Sequence, residues 1–164
     1  ENWLVLGTIL SQSFAPKYLY GEKSVERVNR NIKNLLLLYL AAALLGASLL
    51  SFFSDFLITS IFGKSYAASA PLLQYAAFLS VATFTDSVFN ALMLKERAAK
   101  WVVIKWAAAL ISALMINFSL IEHLGIKAPL IALFVGYGAA CTVGIIYWLR
   151  WKKVAITAHH ENLT

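Results

Sequence analysis

Apolar residues run along this sequence in long blocks separated by short polar interruptions. A helix needs roughly 20 mostly apolar residues to cross about 30 Å of hydrocarbon. Four blocks reach that length, at about 35 to 60, 72 to 94, 101 to 121 and 128 to 149. Residues 1 to 15 read as the last part of another span that ends near Pro16, because proline disfavours helix in the residue before it. The chain begins inside this apolar segment, without an initiator methionine, a basic leader region or a small-residue cleavage site, so a piece of a longer protein is expected. The pattern predicts one all-α transmembrane domain over residues 1 to 164: a bundle of four complete membrane helices and one partial N-terminal span.

Composition agrees with the pattern. Of the 164 residues, 60% are hydrophobic and only 13% charged, with a mean hydropathy of +0.72. That is more apolar surface than a soluble domain of this length can bury. The single cysteine, Cys141, sits within an apolar run, which leaves no disulfide framework and no thiolate metal site.

Charge supplies the orientation, since short cytoplasmic loops are enriched in Lys and Arg. Twelve of the fourteen basic residues fall at three places: Lys17, Lys23, Arg27, Arg30 and Lys33; Lys95, Arg97, Lys100 and Lys105; Arg150, Lys152 and Lys153. The two intervening connections hold only Lys64 and Lys127. This alternation puts the basic loop 17–33, the 95–100 loop and the tail 150–164 in the cytoplasm. The net charge of +6 is then mainly a topology signal, and no nucleic-acid partner is needed to explain it. Trp101, Trp106, Tyr147, Trp148 and Trp151 gather at span ends as an interfacial belt rather than interleaving with a basic stripe. Segment 17–33 carries Val25, Val28 and Ile32 at helical spacing among its cations; it reads equally as a helix lying on the headgroups and as a basic extension of the next span.

Asp86 is the residue that a lipid-facing helix does not explain. Nine residues from Lys95, at about 1.5 Å per residue, it lies roughly 13 Å into the bilayer, where a charge costs at least about 2.5 to 3.5 kcal/mol. It should therefore face protein or water. Ser80, Thr83, Asp86 or Ser87, and Asn90 recur every three or four residues and form a polar stripe on one helix. A cavity lining is favoured over a buried carboxyl held by neighbouring hydroxyls as helix glue. Lys105 falls level with Asn90 across the hairpin. Its expected course is to snorkel to the interface, with an inward turn to Asp86 or to an anionic substrate as the alternative. Asp55, near the outer end of the first full span, is the weaker acid. Asn117 and Gln74 are candidates for hydrogen bonds between helices. Ala132, Gly136, Ala140 and Gly144 make a small-residue face for close helix packing.

Other chemistry is thinly represented. His123 sits beside Glu122 in an outer loop and His159 and His160 in the tail, none at metal-ligand spacing. The glycosylation patterns at Asn117 and Asn162 are set aside by location, and no nucleophile elbow or phosphate loop is present. No enzyme activity, metal or cofactor is expected.

The stretch "SDFLITSIFGKSYAASAPLLQYAAF", residues 54 to 78, resembles the polysaccharide biosynthesis flippases, the Wzx-type O-antigen and lipid-linked oligosaccharide flippases of the multidrug/oligosaccharidyl-lipid/polysaccharide superfamily. The resemblance continues through Asn90, the "LKERAAK" loop, Asn117 and "LIEHLGIKAPLIALFVGYGAA", and upstream through "SQSFAPKYLY". It implies most of the C-terminal six-helix lobe of a transporter of about twelve spans in the bacterial cytoplasmic membrane. The other lobe would be an N-terminal partner within the same protein. The substrate implied is a polyprenyl-pyrophosphate-linked oligosaccharide, with Asp86, Asn90, Thr83, Ser87, Lys105 and Asn117 as cavity or coupling candidates. Two alternatives stand beside it: a cation-coupled exporter of drugs or metabolites, and a non-transporting membrane scaffold working through the Ala132 to Gly144 face.

Overall fold

The computed structural model describes residues 2–161, with side chains described for residues 6, 7 and 9–155. His159, His160 and Asn162 have no described side chains. The described chain is helical throughout, without strands: α1 (Asn2–Ala15), α2 (Val25–Phe52), α3 (Ser54–Phe62), α4 (Ala70–Lys95), α5 (Ala99–Leu124) and α6 (Ala128–Glu161). A π-turn over Pro16–Tyr20 follows α1, and 3₁₀ turns over Lys64–Ser69 and Gly125–Lys127 precede α4 and α6. Three helical stretches are long and apolar enough to cross a membrane: Val25–Phe52, Lys64–Lys95 and Ala99–Ala155.

Helix α2 starts ten residues before its apolar run. Ser24 caps it, its Oγ accepting from the Arg27 N–H at 3.5 Å, and Glu26 sits in the first turn, where the helix dipole favours an acid. Val28, Ile32, Leu35, Tyr39 and Ala43 form its buried stripe, while Arg27, Arg30 and Lys33 stay exposed. Most of the basic segment is therefore the first two turns of α2. At the far end the backbone breaks at Phe53, so the run read as one span over 35–60 is divided between α2 and α3.

Gly63, with φ of 93° and ψ of 166°, ends α3 in a conformation that side chains rarely adopt. Gly125, with φ of 51°, turns the chain between α5 and α6. The last two helices pack antiparallel: Trp101 meets Tyr147 and Trp106 meets Tyr137. A Cβ placed on Gly136 would lie 3.0 Å from the Ala109 carbonyl oxygen.

The centre of the bundle is α4, of whose most apolar window 61% is buried, against 28% in each of the other two stretches. It packs on α1, α2 and α6. Its buried residues are spread around the helix rather than confined to one stripe. Phe84 packs edge-on against Tyr39 of α2, and a Cβ on Gly7 of α1 would come within 2.5 Å of the Phe84 ring. Helix α5 stands on the outside of α6 and touches α4 little beyond the turn that joins them.

Candidate functional site

Asp86 projects from the middle of this central helix and Lys105 from the second turn of α5. Their charges meet: Lys105 Nζ donates to Asp86 Oδ2 at 3.0 Å and lies 2.9 Å from Oδ1. A second N–H goes to Asn90 Oδ1 at 3.2 Å, one helical turn along α4 from Asp86. The ammonium also stands 4.7 Å from the centre of the Trp106 ring, whose face attracts a cation. Lys105 is 0% and Asp86 5% exposed, so the ion pair is buried, with Asn90 half-buried at its edge.

The snorkelling expected of Lys105 is therefore corrected. Its four-carbon stem crosses the gap between α5 and α4 instead of climbing to the interface. Snorkelling would spare the ammonium its own desolvation but leave Asp86 as an uncompensated charge inside the protein, a penalty of about 3 to 5 kcal/mol. The inward turn also removes Lys105 from the loop charges, leaving eleven basic residues against two in the alternating pattern.

The hydroxyls of the polar stripe do other work. Ser80 is wholly buried and Thr83 nearly so, while Ser87 is half-buried. Thr83 Oγ1 donates to the Ser80 carbonyl at 3.2 Å and Ser87 Oγ to the Thr83 carbonyl at 2.9 Å. Ser80 Oγ donates to the Ala77 carbonyl at 2.7 Å, with the Ala43 carbonyl of α2 at 3.5 Å. Such back-bonding satisfies small polar side chains within their own helix. Of the stripe, only Asp86 and Asn90 bind Lys105.

Asn117 lies three turns farther along α5 than Lys105 and is not part of this cluster. Its Oδ1 is buried without a hydrogen-bond partner among the described residues, so the expected bond between helices is not made there. Gln74 does make one, its Nε2 donating to Ser54 Oγ at 2.9 Å and tying α4 to α3. Asp55 is exposed, as its position at the end of the run required.

The small-residue face of α6 is filled from inside the chain. Ala132 and Ala140 are buried. Gly136 lies against Ala109 and Ala113 of α5, and Gly144 against the Phe89 ring of α4, 2.7 Å from where a Cβ would stand. The same helix brings Cys141 beside the site, its thiol donating to the Ala82 carbonyl of α4 at 3.4 Å. Trp106 and Cys141 are neighbours of the cluster that sequence reasoning assigned to a belt and to an apolar run. Only the adjacency of Trp106 to Lys105 hinted at the ring's place.

No group of three or more His, Cys, Asp or Glu side chains among the described residues is arranged to hold a metal ion. Comparison with models of protein families, with curated proteins and with solved structures gave no match.

Proposed function

We propose that this chain is part of an alternating-access membrane transporter, a flippase that moves lipid-linked oligosaccharide across the bacterial cytoplasmic membrane for polysaccharide or O-antigen assembly. The observation that carries the transporter reading is the buried Asp86–Lys105 pair, with Asn90 bound to it, within helices of membrane-spanning length. A buried ion pair gives little net stability over a well-packed apolar replacement, and ionisable groups at membrane depth typically mark substrate, ion or proton paths. In this reading α5 and α6 cross separately, giving four complete spans and the partial span α1, with the C-terminus in the cytoplasm.

The mechanism follows from where the pair sits. It is the polar link between α4 and α5, which otherwise touch little. Protonation of Asp86, or an ion that displaces Lys105 from it, would break the polar tie between α5 and the central helix, while α6 keeps its own contact with α4 through Gly144 and Phe89. That supplies a moving element of the kind alternating access requires.

The sugar-lipid substrate is taken from the resemblance around residues 54 to 78 and in the last hairpin. The pyrophosphate would need cations from another part of the protein, because the Lys105 ammonium is already held by Asp86. That ammonium also fills the place beside Asp86 that a cationic substrate would take, so a cation exporter would have to displace it. The filling of the Ala132 to Gly144 face by α4 and α5 weighs against the scaffold.

The test is transport by the full-length protein in proteoliposomes, comparing a fluorescent lipid-linked oligosaccharide with a cationic dye. Movement of the sugar-lipid and not of the dye is expected. Movement of the dye alone would establish the exporter, and movement of neither would favour the scaffold.

A further inference from the structure

We propose that the hollow between the start of α5 and the end of α6 binds the headgroup of an anionic phospholipid. The inference rests on the membrane reading of this chain and is independent of what is transported.

The hollow has a volume of about 570 Å³. Two cations line it, Lys100 from the first turn of α5 and Arg150 from α6, together with Trp101, Tyr147 and Trp151. The rings of its aromatic wall meet: Trp101 and Tyr147 stand 5.5 Å apart at 54°, and the Arg150 guanidinium lies 5.6 Å from the centre of the Trp101 ring. An indole face attracts a guanidinium at this distance and leaves its N–H groups able to bond phosphate oxygens.

Lys100 and Arg150 are exposed, and among the described residues neither is paired with a carboxylate. Glu96, whose charge reaches Tyr147, is held by Lys95 at 2.8 Å. The hollow therefore presents positive charge beside an aromatic wall.

Its flank is apolar. Ile104 and Val154, both lining residues, are 40% and 70% exposed. A free phosphate would use the cations and leave this flank bare, whereas a lipid places its phosphate on the cations and runs its chains along the flank. Aromatic rings and basic side chains at a helix end are also the groups expected at headgroup depth.

Native mass spectrometry of the full-length protein in mild detergent tests the assignment, using phosphatidylglycerol and phosphatidylcholine with identical acyl chains. Each Lys or Arg near an anionic headgroup favours binding about fivefold, so the two cations together should favour phosphatidylglycerol by roughly thirtyfold. The preference should vanish in Lys100→Gln/Arg150→Gln and survive in Lys100→Arg/Arg150→Lys. It should also survive in Lys23→Gln/Lys33→Gln, which removes the same charge elsewhere.

Equal retention of the two lipids would overturn the proposal. So would a preference unchanged by Lys100→Gln/Arg150→Gln, or displacement of the lipid by millimolar inorganic phosphate. Failure of the protein to insert into liposomes, measured by flotation in parallel, would instead bring down the membrane reading itself.

Discussion

Lys105 Nζ lies 3.0 Å from Asp86 Oδ2, joining the outer helix of the C-terminal hairpin to the central helix of the bundle. Neither side chain has an alternative partner of opposite charge among the described ion pairs. Each therefore depends on the other.

Removal of one partner should be more damaging than removal of both. Lys105→Met alone leaves a buried carboxylate and is expected to destabilise the bundle by about 3 to 5 kcal/mol at neutral pH, unless Asp86 takes up a proton. Asp86→Leu/Lys105→Met removes both charges and should unfold at nearly the wild-type denaturant concentration. Unfolding in mixed micelles, followed by circular dichroism, gives the comparison.

The glycines of α6 should differ according to what stands opposite them. At Gly144 a Cβ would meet the Phe89 ring at 2.7 Å, and nothing lies within 4 Å of one at Gly138. Gly144→Val should cost about 1 to 3 kcal/mol through overpacking. Gly138→Ala should be neutral or stabilise by up to about 1 kcal/mol, as alanine does for glycine in a helix. Paired unfolding curves decide.

Gly63 tests the backbone rather than the packing. Nothing lies within 4 Å of a Cβ there, yet its φ is 93°. Gly63→Ala should therefore destabilise the junction of α3 and α4 by about 1 to 3 kcal/mol from conformational strain alone. Hydrogen exchange over residues 60 to 72 should report it first.

Outside the spans, Glu22 sets a pH dependence. The Ser24 backbone N–H, donating to its Oε1 at 2.9 Å, holds the Glu22 carboxyl below its ordinary value of 4.5, and Arg27 adds to the effect. A carboxyl depressed on folding stabilises above its unfolded pKa, and that contribution disappears as pH falls through the folded value. The Ser24 amide resonance should shift with a midpoint below 4.5, and Glu22→Gln should abolish the shift.

Long apolar blocks made the helices legible in the sequence, because a period and a length are local properties. The cap at Ser24 is equally local, although the apolar run alone placed the helix start at Leu35 rather than Val25. Asp86 and Asn90 stood out through the cost of polar groups at depth, and hairpin geometry put Lys105 level with Asn90. The direction Lys105 takes was less accessible. It depends on whether α5 faces α4 or lipid, which is decided by how Gly136 and Gly144 seat α6 against both neighbours. The hydroxyls of the stripe bond within α4 and not to Lys105, because serine and threonine bond within their own helix as readily as across a gap.

The most direct test of the central claim is flipping of a lipid-linked oligosaccharide by the full-length protein carrying Asp86→Leu/Lys105→Met. Fluorescence of the labelled lipid gives the rate in proteoliposomes, and its stability is measured alongside. If the pair serves transport, the folded double variant should move the lipid at least about tenfold more slowly than wild type, a difference of only about 1.4 kcal/mol in the barrier. Transport at the wild-type rate by the folded variant would contradict the account and leave the pair as a structural link between α4 and α5.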